Sequence, residues 1–385
     1  MSTLHLVCNQ IAGWLGGPAA QNPHWPPAMW ETFQRACRVH GVAPLLHQKL
    51  DGTPWLDSSI RGWLAEQYDF NEQRIAKMHG ELKQILAAFA QQKIPLMPLK
   101  GSILSAGYYD NPGQRPMADL DLLIQAGDFE TGAHLLRQLG YERDVVHWKH
   151  TEFSKPGNRQ VVSSTCEHPD NPRKLELHPH CRETFAGPTL DLTELMWGNA
   201  IQSDLLGEPA IVPNTEALWL HLLVHATYHL WQGRGRLIHL VDLARVSPHL
   251  TDSQHQLNKV DARFTYPALA MQQRYLPNTL TPTLLAQQQA RVSTGFRQWI
   301  ETLDLVNTSY LNPGERGLYI VKALKFSEGH PREVAQAFRF ALLPGLEEIA
   351  LDHPRLAQSK APWLGYFLLP LDWLKRVMPF VMSDE

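Results

Sequence analysis

The sequence predicts an α+β fold, a small mixed sheet embedded in a mostly helical N- and C-terminal body. Three observations predict it. Residues 58–92 repeat apolar side chains at three- and four-residue steps, as the buried face of one long helix does. Three short runs, 94–99, 120–124 and 175–178, are apolar or alternating and read as strands. From about residue 190 onward the spacing is helical again. The resulting plan is an N-terminal helical region at 1–92, a core at 93–185 and a C-terminal helical domain at 186–385.

The chain has 385 residues, enough for two or three compact units. Its 44% hydrophobic and 19% charged residues exclude a mainly disordered chain. A net charge of −3 gives no global electrostatic case for a nucleic-acid or anionic-membrane partner. The four cysteines, Cys8, Cys37, Cys166 and Cys181, are too few for a disulfide scaffold. None forms a close C-x-x-C pair, which argues against a structural zinc site. The 19 His and 12 Trp are the unusual counts.

In chain order, the first thirty residues carry no Asp, Glu, Lys or Arg, and Gly13, Gly16, Gly17 and Pro18 interrupt their apolar run. This is unlike a secretory signal, and a structured or frayed N-terminus in a cytoplasmic protein is expected. Residues 30–50 have helical spacing with Gly41 as a stop. In the long helix, Leu64, Tyr68, Ile75, Met78, Leu82, Ile85, Leu86 and Phe89 form the apolar stripe, with Ser58 or Ser59 as cap. After the strand at 94–99 comes Lys100-Gly101-Ser102, then a short helix at 103–109. Asn-Pro-Gly marks a loop over 110–116. A helix at 129–139 stops at Gly140. Residues 141–180 read as irregular β structure with a turn-rich stretch at 156–173. Pro213-Asn214-Thr215-Glu216 opens a helix that runs to about Trp231. A polar region at 277–283 divides the C-terminal helices. Trp363 to Phe380 reads as a C-terminal helix pair; Pro370, Asp372, Lys375 and Arg376 make it too broken to span a membrane.

The chemistry is expected in the core. Asp119 and Asp121 flank Leu120 in Ala118-Asp119-Leu120-Asp121-Leu122-Leu123-Ile124. On a strand both carboxylates point to one face, with Cα atoms about 6.5–7 Å apart. Two such groups repel unless a cation compensates, and oxygen donors at this spacing suit Mg²⁺. Alone, Asp-x-Asp is often just a polar strand face. Three neighbours strengthen it. Gly101-Ser102 lies between a strand and a helix, where a phosphate is favoured or Ser102 simply caps. Arg115 can meet a phosphate or pair with a carboxylate that fixes the loop. Glu176 alternates with His178 and His180, as a third metal carboxylate and proton acceptor or as a solvated edge.

This ordered set resembles the DNA polymerase β-type nucleotidyltransferase superfamily. More narrowly it resembles the bacterial family of uncharacterised nucleotidyltransferases, NTP transferase family 5. The residues that carry the resemblance are Ile94-Pro95 through Leu99-Lys100-Gly101, Tyr108, Tyr109, Arg115, Asp119, Asp121, Leu123 and Glu176-Leu177-His178. They lie within about residues 30–250. Two departures stand out: Lys-Gly-Ser replaces the Gly-Gly/Ser-Ser common in the superfamily, and Glu176 stands where Asp is common.

The resemblance implies a metal-dependent enzyme with a two-metal mechanism, using Mg²⁺ or Mn²⁺. It would move NMP from an NTP to an acceptor hydroxyl and release pyrophosphate. Asp119, Asp121 and Glu176 would be the catalytic metal ligands. Lys100, Gly101, Ser102 and Arg115 would hold the nucleotide. The acceptor is open among small molecules, peptides or proteins, and RNA. The alternative is a nucleotide-binding or regulatory module without turnover. His178 would support the site, and His225, His229, Arg236 and Asp242 match basic and acidic positions of the family. On a helix, His221, His225 and His229 drift by about 40° per step, so adjacent pairs suit a metal better than all three. Their other reading is buried, hydrogen-bonded helix residues. A phosphohydrolase of the adjacent His-Asp type is excluded, because the chain has no such pair.

Overall fold

The computed structural model describes residues 2–17, 20–163, 167–185, 188–250, 255–311 and 319–342, together with 364 and 367. Four helices come first: α1 (Thr3–Gly16), α2 (Pro27–His40), α3 (Ala43–Lys49) and α4 (Ser58–Gln91). α2 stops at Gly41, whose φ of +67° is the left-handed conformation that glycine tolerates best. α4 is capped by Asp57 rather than by either serine, because the Asp57 carboxylate accepts the Ser59 N–H at 2.8 Å. Trp14, Trp25, Trp30, Trp55, Trp63 and Phe33 interlock in this N-terminal region, with ring centres 5.1–6.2 Å apart. Aromatic packing therefore accounts for five of the twelve tryptophans.

Next come β1 (Leu96–Pro98), α5 (Gly101–Gly107), β2 (Asp119–Ile124), α6 (Phe129–Gln138), β3 (Glu142–Val146), β4 (Thr151–Ser154) and β5 (Lys174–His178). The five strands form one sheet in the order β1-β2-β5-β4-β3. The β2–β5 pair is parallel and the other pairs are antiparallel, so the sheet is mixed. Leu120, Leu122, Leu123, Ile124, Leu175 and Leu177 are buried, with exposures of 1% or less. The helix after Lys100 begins at Gly101, two residues earlier than its apolar spacing suggests.

The stretch that follows is not purely helical. β6 (Arg182–Thr184) pairs with β7 (Thr189–Asp191), and after α7 (Thr193–Gly198) a hairpin forms from β8 (Ala200–Leu205) and β9 (Glu208–Pro213). Its two-residue corner, Leu206-Gly207, has φ values of +60° and +81°. That is the geometry a tight hairpin needs. A leucine in the place usually taken by Asn or Asp hides it from a turn search.

Helical structure then resumes with α8 (Thr215–Gln232), α9 (Leu237–Val246), α10 (His255–Asn258), α11 (Tyr266–Tyr275), α12 (Pro282–Ala290), α13 (Thr294–Glu301), α14 (Tyr319–Phe326) and α15 (Pro331–Leu342). Asn214 caps α8 by accepting the Ala217 N–H at 2.9 Å, and Gly233 ends it with φ +70°. α8 packs on α9 and α11. Among the described residues no helix is long and apolar enough to cross a membrane. The expected helix pair at 363–380 lies outside the described residues except for 364 and 367.

Candidate active site

The parallel β2–β5 register sets Asp121 directly beside Glu176, Asp119 beside Lys174 and Leu123 beside His178. Because side chains alternate, Asp119, Asp121, Glu176 and His178 belong to one face of the sheet. One side chain on α4 fixes where these strands begin. The buried Arg74 guanidinium donates to the carbonyls of Met117 and Ala118, just before β2, at 2.9 Å each. It also donates to Asn171 and Pro172, just before β5, at 2.9 and 2.8 Å. One charged side chain thus ties both strand entrances to the long helix.

The carboxylates are not equivalent. Lys100 Nζ lies 2.5 Å from Asp121 Oδ1, and His178 Nε2 lies 3.1 Å from the same oxygen. The same His178 nitrogen is 3.3 Å from Glu176 Oε2, as is His150 Nδ1. Burial disfavours the Asp121 anion, but the Lys100 ammonium and the His178 ring outweigh it and hold this carboxyl well below its ordinary range. For Glu176, burial is likewise offset by the His178 contact and the pKa is lowered. Asp119 has no hydrogen bond or ion pair of its own among the described residues. Burial first, then the charges of Asp121 and Glu176, push its carboxyl up to about 8. Burial opposes the Lys100 charge, yet Asp121, Glu176 and Asp119 together raise its pKa.

Lys100 holds its position at a backbone cost. Its φ and ψ are +46° and −123°, a corner conformation that normally favours glycine. Gly101 is required by crowding: a Cβ there would lie 2.6 Å from Arg115 Nη1 and 2.8 Å from Met117 Sδ. The Ser102 and Ile103 N–H groups already donate to the Leu99 and Lys100 carbonyls at 3.1 Å each. The side-chain groups this turn offers an anion are the Lys100 ammonium and the Ser102 hydroxyl, which is buried without a hydrogen-bond partner.

Arg115 takes the loop-fixing course. Its Nε and Nη2 donate to Asp242 at 3.1 and 2.6 Å, and its Nη1 donates to the Pro116 carbonyl at 2.7 Å. Tyr109 donates to Asp242 at 2.7 Å as well. Asp242, on α9, thereby holds the guanidinium that covers Gly101. Arg236 goes elsewhere: its Nε donates to the Val39 carbonyl at the end of α2, at 2.9 Å. There its charge complements the negative helix terminus. His225 and His229 meet a third ring, His239 of α9, rather than a carboxylate of β2 or β5.

A model of the uncharacterised nucleotidyltransferase family matches residues 26–270. The chain belongs to this family. Two solved structures are also similar. One is the solution structure of the antibiotic-resistance factor ANT(2″)-Ia, at 14% identity over 52% of this chain and 99% of that one, with a TM-score of 0.35. The other is a crystal structure of an antigenic nucleotidyltransferase-like protein from Paracoccidioides brasiliensis, at 14% identity over 59% and 95%, with a TM-score of 0.33. No curated protein matches the chain significantly.

In this nucleotidyltransferase the donor set suits a hard divalent cation. Three carboxylates share one sheet face, and one of them, Asp119, is held at an elevated pKa by burial and then by the other two. Added positive charge relieves that repulsion, and oxygen donors are the ones Mg²⁺ prefers. Sequence reasoning missed Arg74, His150 and His239. Arg74 looks like any polar residue of a long helix. Its role depends on two loops, 117–118 and 171–172, that reach it from distant parts of the chain. For His150, pairing of Thr151 with Leu177 sets it beside β5, which no local pattern reveals.

Proposed function

We propose that the protein is a metal-dependent nucleotidyltransferase that transfers NMP from an NTP to an acceptor hydroxyl and releases pyrophosphate. The observation that carries this reading is the register that sets Asp121 beside Glu176, with Asp119 on the same face and at a raised pKa. The catalytic core is assigned to residues 93–185. Asp119, Asp121 and Glu176 would hold Mg²⁺ or Mn²⁺. Bound there, the ion would neutralise phosphate charge and favour the ionised acceptor.

The chain's own groups do the remaining work. Lys100 and the Ser102 hydroxyl bind the outer phosphates, and the ammonium offsets charge on the departing pyrophosphate. For this, Lys100 exchanges its Asp121 contact for phosphate. His178 orients the Asp121 and Glu176 carboxylates with one shared nitrogen. Arg115, held by Asp242 and Tyr109, keeps Gly101 and the Lys100 corner in place. Glu176 accepts the acceptor's proton. The acceptor is a small molecule, a peptide or protein, or an RNA.

The test is incubation with each α-labelled NTP, Mg²⁺ or Mn²⁺, and fractionated cell extract. Label should move to an acceptor, with an equal amount of pyrophosphate formed. A second reading, nucleotide binding without turnover, is favoured by one contact: the Lys100 ammonium already neutralises Asp121. Under it, NTP raises the melting temperature and no extract fraction yields pyrophosphate.

A further inference from the structure

Among the described residues, three histidines outside the carboxylate face form a cluster of their own. His225 and His229 stand one turn apart on α8, and His239 faces them from α9. Their ring centres are 4.3 Å (225–229), 4.8 Å (229–239) and 5.4 Å (225–239) apart. One ring nitrogen from each lies within 4.8 Å of the other two. The Nδ1 atoms of all three are buried without a hydrogen-bond partner. Buried polar atoms are normally paired, so three orphans in one cluster require an explanation. The other two groupings share His150, whose ring nitrogens also lack a hydrogen bond, but there a carboxylate stands among the rings. His178 Nε2 is engaged by Asp121 and Glu176, and His147 Nε2 by Glu152 at 3.2 Å.

We propose that His225, His229 and His239 form a metal site for a zinc-type divalent transition metal, distinct from the carboxylate site. Neutral imidazole is the ligand form such ions take, and it suits Zn²⁺ far better than Mg²⁺. Burial, followed by neighbouring charges, holds all three rings well below the ordinary histidine pKa, so they are neutral at pH 7. Tetrahedral zinc places ligand nitrogens about 3.3 Å apart, so binding draws the rings together by side-chain rotation. Lys149, Lys100 and Arg236 add positive charge nearby and oppose a dication. Glu183, ion-paired with Lys149 through Oε1, already offsets that ammonium. It is buried, its Oε1 lies 3.8 Å from His225 Nδ1, and its Oε2 has no partner. The ion would tie α8 to α9. α9 also carries Asp242, three residues beyond His239, so the tie steadies the Arg115 fork over Gly101.

The experiment uses full-length, tag-free protein stripped with a chelator and titrated with Zn²⁺ alone against a competing chromophoric chelator. Wild type and His150→Ala should each bind one tight equivalent. The latter removes a ligand from both of the other histidine–carboxylate groupings. His229→Gln and His239→Gln should weaken that equivalent at least a hundredfold. Co²⁺ in place of Zn²⁺ should give wild type the intense visible absorption of a four-coordinate site, a readout that needs no folded variant. The proposal is overturned by absence of both tight Zn²⁺ and that absorption. It is equally overturned if both glutamine variants bind as wild type does, or if His150→Ala abolishes binding.

Discussion

The carboxylate face of β2 and β5 and the histidine pair of helices α8 and α9 solve the same problem in opposite ways. Each gathers several titratable groups in a poorly solvated place. On the sheet, charge is kept and matched: Lys100 and His178 converge on Asp121, and the one unmatched group, Asp119, is pushed up to about 8. On the helices, charge is given up, because burial drives the imidazoles to their neutral form. The first arrangement suits phosphate and hard cations, which exchange with charges already present. The second suits ligands of lone pairs. The carboxylate face therefore depends on fixed partners, and the histidine helices on staying uncharged.

The largest predicted break in that contrast is Arg74→Met. It strips hydrogen bonds from the Met117, Ala118, Asn171 and Pro172 carbonyls, which anchor both carboxylate strands. At about 1–3 kcal/mol per buried group left unpaired, on the order of 5 kcal/mol should be lost, read as a lower urea midpoint. A midpoint unchanged from wild type would remove Arg74 from the account. Asp242→Asn comes next. It leaves the buried Arg115 without its counter-ion, at a cost of about 3 kcal/mol in the same titration. It should also weaken NTP binding through the loosened Gly101 corner. Gly101→Ala should cost about 1–2 kcal/mol, because a Cβ at 2.6 Å from Arg115 Nη1 forces a guanidinium held by Asp242 to shift.

A further effect appears only in acid. Burial lowers His221 of α8 and His40 of α2 from 6.5 to about 3. Above pH 6.5 both are neutral folded and unfolded, and their contribution is fully present. Below it the unfolded chain takes up protons that the folded chain refuses, so stability falls until about pH 3. Each contributes a slope of about 1.4 kcal/mol per pH unit over the steep part. His221→Gln should make the decline between pH 6 and 4 shallower by one proton's worth. An unaltered slope would mean that His221 is charged in the fold.

Much of this was legible from pattern alone. The long helix, the strands around Leu120 and Leu175 and the helix opening at Asn214 rest on local periodicity and caps, which act within a few residues. The β8–β9 hairpin was not legible, because Leu206 takes a left-handed corner without the residue type that announces it. In the site, alternation alone puts Asp119 with Asp121 and Glu176 with His178. Uniting the two pairs requires the parallel register, a long-range fact. The fate of Arg115 depended on Asp242, 127 residues away, and that of Arg236 on Val39. His239 carries no signal of its own, since one histidine in an apolar helix becomes notable only when α9 packs against α8.

The measurement that bears most directly on the central claim compares wild type with Asp121→Asn. Both are supplied with α-labelled NTP, Mg²⁺ and the extract fraction that serves as acceptor, at a temperature where circular dichroism shows both folded. Label transfer and pyrophosphate release should fall together by at least about a thousandfold, in line with loss of several kcal/mol of metal-borne stabilisation. Transfer by the folded Asp121→Asn protein at the wild-type rate would contradict that claim.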